Sequence, residues 1–226
     1  SNVGICSVSQ ARSGRSLYLG DFPDDSLFES MLGYANNLEA SFSLTDSGRL
    51  WDSVLTEQLF LDLPNTDPDL QAFEYLKEKN IFVGSDGLLY PDATLNRAEM
   101  VKILLKTFKE TLFVGLPIPF WDIPSDAWYL KYLSTGYELG MIVGHEDGSF
   151  LPGHGINRAE FFTMLSRLDG GRYSYDEEFL DTDAEDWFAS AAAYASAKGL
   201  VTNLFFFPED FLTRREAAQF LYELLQ

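Results

Sequence analysis

The amino-acid sequence predicts a mainly α-helical protein of three similar helix–turn–helix units, with a partly helical, partly extended segment before them. An opening aspartate recurs at intervals of 60 and 59 residues, at Asp62, Asp122 and Asp181. A closing arginine recurs at intervals of 61 and 56 residues, at Arg97, Arg158 and Arg214. The apolar residues after each of these marks follow a helical period near 3.6. One unit alone cannot bury its apolar faces, so we expect the three units to pack on one another.

The units are expected to occupy residues 58–226, while residues 1–57 lie outside them. The predicted unit boundaries are 58–116, 117–175 and 176–226. In residues 1–57, a start rich in Ser, Gly and Arg predicts a flexible or extended arm, and apolar spacing predicts helices over residues 26–40 and 49–57. This extension could dock on the units or carry a partner-binding surface, and both interpretations stay open.

A first helix is predicted after the opening aspartate of each unit. Its apolar residues in the first unit are Leu70, Phe73, Tyr75 and Leu76. Those of the second unit are Trp128, Leu130, Tyr132, Leu133, Tyr137 and Leu139. Those of the third unit are Trp187, Phe188, Ala191, Ala192, Tyr194 and Ala195. Such spacing is typical of an amphipathic helix that buries one face.

A glycine-containing turn and a short extended piece ending in proline follow in the first two units. The turns carry Asp86-Gly87 and Asp147-Gly148, where glycine permits a positive φ. The prolines are Pro91 and Pro152. The third unit lacks the Asp-Gly turn, because residues 202–208 are Thr-Asn-Leu-Phe-Phe-Phe-Pro.

The second helix of each unit is predicted to begin at the closing motif. Asn96 and Thr213 are good N-cap residues, and a glutamate three positions later completes a capping box. Apolar residues then recur at helical spacing in the three units, at Met100, Ile103, Leu104 and Phe108, at Phe161, Met164, Leu165 and Leu168, and at Ala217, Phe220, Leu221 and Leu224.

Composition and charge exclude several classes of function. The chain has 226 residues, of which 46% are apolar, so a disordered acidic polymer is excluded. It has 16 Lys and Arg against 35 Asp and Glu, a formal net charge of −19. That charge argues against nucleic-acid binding, which needs a basic face, and against docking on an anionic membrane.

The single cysteine, Cys6, excludes an internal disulfide framework and any multi-cysteine metal site. No apolar run is long enough to span a bilayer, so we expect no direct membrane insertion. The chain begins at Ser1 without a basic and apolar leader. We interpret it as a cloned fragment or a processed mature form, from which an export signal would already be gone.

The sequence shows no set of residues that predicts an enzyme. His145 and His154 have no third metal ligand, and Cys6 has no neighbouring histidine. The acidic run over residues 181–186 lacks the glycine and the distal glutamate of a calcium loop, so acidic residues at a helix start explain it better. We expect no catalytic residues, no bound metal and no cofactor.

These motifs together resemble the S-layer homology (SLH) repeat of bacterial cell-surface proteins. The matching features are an opening Phe-x-Asp, an early Trp, a Gly-x-x-Asp-Gly-x-Phe-x-Pro turn and a closing Thr-Arg-Ala-Glu. They are clearest in the second unit, at Phe120, Asp122, Trp128, residues 144–152 and residues 157–160. The resemblance covers about residues 58–226 and extends over all three units.

The resemblance implies a pseudo-threefold arrangement, with one helix of each repeat in a central bundle. It also implies non-covalent attachment to secondary cell-wall polysaccharide, which often carries pyruvate ketals. The closing arginines Arg97, Arg158 and Arg214 would meet the ketal carboxylate in grooves between repeats. Asparagine replaces the family's threonine in the first two closing motifs and keeps the cap. Because the third unit lacks its turn, we expect one or two working sites and not three.

Each closing arginine stands at the first helical position, where the helix dipole mildly disfavours a cation. Two explanations stay open. In the first, backbone N–H groups of the helix start and the guanidinium together bind a carboxylate or phosphate. In the second, each arginine pairs with a nearby carboxylate of this acidic chain.

Turn residues and tryptophans supply further candidates for ligand binding. The turn candidates are Asp86, Gly87, Asp147 and Gly148, which first indicate turn chemistry and can also bring backbone close to a sugar. The aromatic candidates are Trp128 and Trp187. These two and Trp121 could stack on pyranose faces, although large aromatic side chains more often lie in the core. The opening aspartates are expected to be caps or turn residues more than ligands.

The sequence therefore predicts a non-catalytic, extracellular module that binds anionic cell-wall polysaccharide and anchors a surface-layer or surface protein. Other surface-layer proteins are further candidate partners. The alternative is a structural or protein-interaction subunit that keeps the repeats as a scaffold and uses residues 1–57 as its contact. A weaker third hypothesis is a periplasmic piece of an outer-membrane protein. The first hypothesis needs open arginine grooves, whereas the second predicts that the protein's own acids or another chain fill them.

Overall fold

A computed structural model describes residues 42–44, 50–52, 59–108, 111–113, 115–176 and 179–226. The chain divides into two compact units, Ser1–Asp67 and Pro68–Gln226. In the first, strand β1 (Phe42–Leu44) pairs antiparallel with strand β2 (Leu50–Asp52). The helix predicted over residues 49–57 is therefore wrong at residues 50–52, where a ladder with β1 overrides the apolar spacing. The helix predicted over residues 26–40 lies outside the described residues.

The second compact unit is mainly helical, as predicted. Its six described helices are α1 (Leu70–Glu78), α2 (Arg97–Phe108), α3 (Leu130–Glu138), α4 (Arg158–Asp169), α5 (Ala189–Ala197) and α6 (Arg214–Leu225). They alternate between short helices of 9 residues and long helices of 12 residues. Each of the three predicted units thus supplies one short helix and one long helix.

Capping boxes set the start of the long helices. Asn157 accepts from the Glu160 N–H at 2.9 Å, and the Glu160 carboxylate accepts from the Asn157 N–H at 3.2 Å. Thr213 and Glu216 form the same reciprocal pair before α6. Two N–H groups that the helix itself cannot satisfy are used in each box, so the closing motif determines where the helix begins.

The core of this unit contains most of the predicted apolar helix positions, although Tyr137 is 40% exposed, and it adds Phe82 and Phe206 from the segments between helices. Large side chains with almost no exposure include Phe73, Leu76, Phe82, Met100, Phe150, Phe161, Phe162 and Phe206. Helix α5 packs on α4 with the small side chains of Ala191, Ala192 and Ala195, which are all buried. Small residues let the two helices approach closely, which explains how an alanine-rich segment serves as the third short helix.

A ring of backbone hydrogen bonds joins the three segments that precede the long helices. The N–H of Leu95 donates to the carbonyl of Leu212 at 3.1 Å, the N–H of Leu212 to Ile156 at 2.9 Å, and the N–H of Ile156 to Leu95 at 2.9 Å. All three side chains are completely buried. The ring therefore brings the three helix starts, and the arginines that follow them, to one place in the fold.

Candidate functional site

The N–H groups at the start of each long helix are already bonded within the protein. In α2, the Arg97 N–H donates to the His154 carbonyl at 2.9 Å and the Ala98 N–H to the Pro152 carbonyl at 3.0 Å. The third N–H, of Glu99, donates to the Asn96 side chain at 2.8 Å. The first two N–H groups of α4 donate to the carbonyls of Asp210 and Pro208. The first two N–H groups of α6 donate to the carbonyls of Ala93 and Pro91. The expectation that these N–H groups are available to an anion is therefore wrong, because loop carbonyls of a neighbouring unit and the cap side chain occupy them.

Arg97 is buried, with 5% of its surface exposed. Its Nε donates to the carbonyl of Phe150 at 2.8 Å, and its Nη1 lies 2.5 Å from a carboxylate oxygen of Glu160. Burial lowers the pKa of Arg97, and the charge and hydrogen bond of Glu160 act in the opposite direction. The guanidinium thus joins α2 of the first repeat to residues 117–175 of the second repeat by two contacts.

Arg158 repeats these contacts one unit further along the chain. It is 8% exposed, its Nε donates to the carbonyl of Phe206 at 2.8 Å, and its Nη1 lies 3.8 Å from Glu216. Burial lowers its pKa too, with Glu216 the largest opposing influence. The guanidinium carbon lies 5.3 Å from the ring centre of Phe220, so aromatic rings also surround the charge.

Arg214 occupies the equivalent position of the third unit but is held less completely. Its side chain is 20% exposed, and its Nη1 lies 3.7 Å from Glu99. Its Nε is buried and has no hydrogen-bond partner in the part of the chain that the structure describes. Arg214 therefore keeps a donor that Arg97 and Arg158 use for a loop carbonyl.

The three ion pairs run in a cycle from unit to unit. Each capping-box glutamate uses one oxygen for its own N-cap N–H and offers the other to an arginine of another unit, as Glu99, Glu160 and Glu216 do. Of the two explanations left open by the sequence, pairing with the protein's own carboxylates is the geometry found. That these arginines bind a ligand stays a prediction. The sequence predicted these glutamates only as capping residues. Because a glutamate follows each closing arginine by two positions, the same repeat also offered a carboxylate partner for each arginine.

The opening aspartates hold the loop before the closing motif. The Asp122 carboxylate accepts from the N–H groups of Phe150 at 2.9 Å and Leu151 at 2.7 Å. Asp181 accepts from Phe206 and Phe207 at 2.7 and 2.8 Å. Leu151 and Phe207 have φ of 58° and 56°, in the left-handed region that non-glycine residues rarely adopt. Asp122 and Asp181 thus cap a distant loop and not the adjacent turn or helix start that the sequence indicated, and their carboxylates offset its strained backbone.

The Asp-Gly dipeptides are turns, as the sequence indicated. Gly87 and Gly148 have φ of 80° and 81°, and Asp86 has φ of 51°. Asp147 accepts from the hydroxyl and the N–H of Ser149, and these hydrogen bonds lower its pKa. The indole N–H of Trp121 donates to the carbonyl of Asp147 at 3.0 Å, which places an aromatic ring beside this turn.

Three tryptophans of the second compact unit lie on the surface, so the interpretation of these three side chains as core residues is wrong. Trp121, Trp128 and Trp187 are 71%, 52% and 62% exposed. Trp128 and Trp187 stand two residues before the short helices α3 and α5, and each makes a T-shaped contact with the aromatic ring of the next residue. The equivalent position of the first unit, two residues before α1, is Pro68. Exposed aromatic faces can stack on sugar rings.

Within the residues that the structure describes, no group of three or more His, Cys, Asp or Glu side chains is placed to hold a metal ion. In the acidic run, Asp181 caps the loop and the Asp186 carboxylate accepts from the Asp183 N–H at 2.8 Å. The described helices include none that is both long and apolar enough to cross a membrane.

Comparison with known proteins gives a family match for two of the three units. Residues 59–101 and 119–162 match the S-layer homology domain. The chain is 30% identical to the exoglucanase XynX of Acetivibrio thermocellus over 169 aligned residues. The aligned region makes up 69% of this chain and 15% of that protein. It is 33% identical to the cellulosome-anchoring protein of the same species over 135 aligned residues, and the aligned region makes up 57% of this chain and 30% of the relative.

A surface-layer protein is also among the relatives. The S-layer protein of Bacillus thuringiensis subsp. finitimus is 26% identical over 133 residues, which cover 54% of this chain and 16% of that protein. The chain thus spans less than a third of each of these relatives, which include an enzyme, an anchoring protein and a surface-layer protein.

Proposed function

We propose that this chain is a non-catalytic anchoring module that holds a surface protein on anionic cell-wall polysaccharide. The observation that carries the proposal is the S-layer homology match at residues 59–101 and 119–162, together with relatives named for anchoring and for the S-layer. The extracellular location, the polysaccharide and its acidic, pyruvylated character are parts of the proposal. Other surface-layer proteins are its candidate protein partners.

The fold proposed for this module has three repeats around a pseudo-threefold axis. Its support is the ring of hydrogen bonds through Leu95, Ile156 and Leu212 and the cycle of arginine–glutamate pairs. The third repeat has no family match, yet Asp181 caps its loop and Thr213 caps its long helix as in the second repeat. Short-range sequence similarity is lost there while the hydrogen-bonding positions remain.

Among the three arginines, Arg214 is the one we assign to polysaccharide binding. All three arginines have a carboxylate partner, but among the described residues Arg214 gives no Nε hydrogen bond to a loop carbonyl, and its side chain is the most exposed of the three, at 20% against 7% and 9%. A ligand carboxylate close to Arg214 would receive a charged hydrogen bond in a partly dry setting. Trp128 and Trp187, with their exposed rings, are the proposed stacking positions.

The alternative function, a scaffold for protein contacts, is favoured by one observation. The protein's own glutamates pair with all three arginines, as that hypothesis predicted. On this hypothesis the pairs serve only to join the repeats, and residues 1–57 make the contact.

Co-sedimentation with wall sacculi separates the two functions. Sacculi from the source organism and from Bacillus thuringiensis subsp. finitimus are compared before and after hydrofluoric acid removes phosphodiester-linked polysaccharide. Anchoring predicts that the protein pellets with intact sacculi and stays in solution with the treated ones. Equal amounts in the supernatant of both preparations would reject anchoring and favour the scaffold.

A further inference from the structure

Three lysines lie together on helices α2 and α3 of this strongly acidic chain. Lys102 and Lys106 stand one turn apart on α2, and Lys131 stands in the first turn of α3, which packs against α2. Burial lowers the pKa of Lys106, and the positive charges of Lys102 and Lys131 lower it further. The three ammonium groups therefore repel one another within one local surface.

These lysines differ from most other cations of the second compact unit because they lack carboxylate partners. Arg97, Arg158, Arg214 and Lys198 each form an ion pair. None of Lys102, Lys106 and Lys131 does so among the described residues, although the chain carries 35 acidic residues. Like charges placed side by side without partners reduce stability unless a bound anion offsets them.

An exposed aromatic ring completes this surface. The Nζ of Lys102 lies 5.2 Å from the ring centre of Trp128, whose side chain is 52% exposed. The Nζ of Lys131 lies 5.1 Å from the ring centre of Tyr132. Tyr132 is buried, so Trp128 is the ring that a sugar could reach. An exposed indole with the ammonium group of Lys102 beside it suits a pyranose ring that carries a carboxylate, because the sugar can stack while its charge meets a lysine.

We infer that Lys102, Lys106, Lys131 and Trp128 form a binding surface for an acidic glycan segment, separate from the closing arginines. The inference rests on the proposed function and extends it, because it gives the polysaccharide a second contact on the first and second repeats. The surface is locally positive although the whole chain has a net charge of −19. Binding there is expected to weaken with salt, since exposed charges are screened.

The test compares two double variants of the full chain that change the net charge equally. K102Q/K131Q removes two lysines of the surface and leaves Lys106, which donates to the Asn80 carbonyl at 2.7 Å. R172Q/K198Q is the matched control, because both of its side chains are exposed and lie outside the surface. The probes are polygalacturonate as the acidic glycan, dextran as the neutral one, and intact sacculi. W128A tests the stacking part of the surface.

We expect polygalacturonate but not dextran to bind the unmodified chain. K102Q/K131Q should weaken that binding about fivefold or more and flatten its salt dependence, W128A should weaken it too, and the control should change it less than about twofold. Equal affinity of the two double variants for polygalacturonate would overturn the inference, even if both still pellet with sacculi. Lysine-dependent binding to polygalacturonate without binding to sacculi would instead uphold the surface and reject wall anchoring.

Discussion

Arg97 at the start of α2 and Glu160 in the first turn of α4 form a buried ion pair between two repeats, with Nη1 and Oε1 2.5 Å apart. Glu160 also accepts from the N–H of Asn157, so one carboxylate caps its own helix and binds the guanidinium of another. Arg97 in turn donates to the Phe150 carbonyl. The closing motif thus joins repeats to one another as well as starting helices.

Replacing Arg97 with glutamine should destabilise the fold. The change leaves the Phe150 carbonyl and the Glu160 carboxylate without their buried partner, which typically costs about 3 kcal/mol or more. For a chain of this size the melting temperature should fall by roughly 6–12 °C, measured by circular dichroism. Exposed Arg172→Gln is the control, and an unchanged melting temperature for Arg97→Gln would show that the pair adds nothing to stability.

Gly144 should not tolerate a side chain. A Cβ there would lie 2.6 Å from a ring carbon of Phe120 and 2.8 Å from the carbonyl oxygen of Ser149, so backbone must shift. We expect Gly144→Ala to cost about 2 kcal/mol or more in urea unfolding. Gly153→Ala, whose Cβ would meet nothing within 4 Å, should change the unfolding midpoint little. Equal midpoints for the two variants would contradict this packing.

Tyr194 should make the fold sensitive to alkali. Burial, followed by the negative charge of Asp169, raises the pKa of Tyr194 above its usual range. The unfolded chain releases that proton near pH 10 while the folded chain retains it, so stability falls as the pH rises above about 10. Tyr194→Phe should lose less stability than the unmodified chain between pH 8 and pH 11, measured by urea unfolding. Identical losses would mean that this phenol does not contribute.

Trp187 should matter for binding and not for folding. Its side chain is 62% exposed and makes an edge contact with Phe188 at 5.4 Å between ring centres. We expect Trp187→Ala to keep the melting temperature and to lower the affinity for sacculi roughly three- to tenfold, the scale of one aromatic stacking contact. Phe188→Ala is the contrasting variant, because that buried ring should be needed for stability. Unchanged affinity of Trp187→Ala for sacculi would show that this ring is not part of the binding site.

Much of the fold followed from short-range pattern in the sequence. The capping boxes at Asn157 and Thr213 and the apolar spacing predicted where long helices begin and which faces are buried. Both signals lie within a few residues of each other, so they need no tertiary information. At residues 50–52 the same kind of spacing failed, because it does not report the pairing of this segment with the neighbouring strand at residues 42–44.

The candidate site was less predictable because its contacts join residues far apart in the sequence, some of them in different repeats. Arg97 meets Glu160, 63 residues away, and Asp122 meets Leu151, 29 residues away. Local rules placed Arg97 at a helix start that was free for an anion, whereas loop carbonyls of the next repeat occupy that start. The exposure of Trp128 also depends on how α2 and α3 pack, which no spacing within one helix reports.

We propose that the closing arginines divide into two structural pairs, at Arg97 and Arg158, and one ligand contact, at Arg214. The most direct measurement is the affinity of Arg214→Gln for sacculi, made beside Arg97→Gln at a temperature where both variants are folded. We expect Arg214→Gln to lose about tenfold in affinity or more while its melting temperature stays within a few degrees, since its Nε has no partner among the described residues. Arg97→Gln should lose stability and keep its affinity. Unchanged binding by Arg214→Gln, or an equal loss for both variants, would contradict the account.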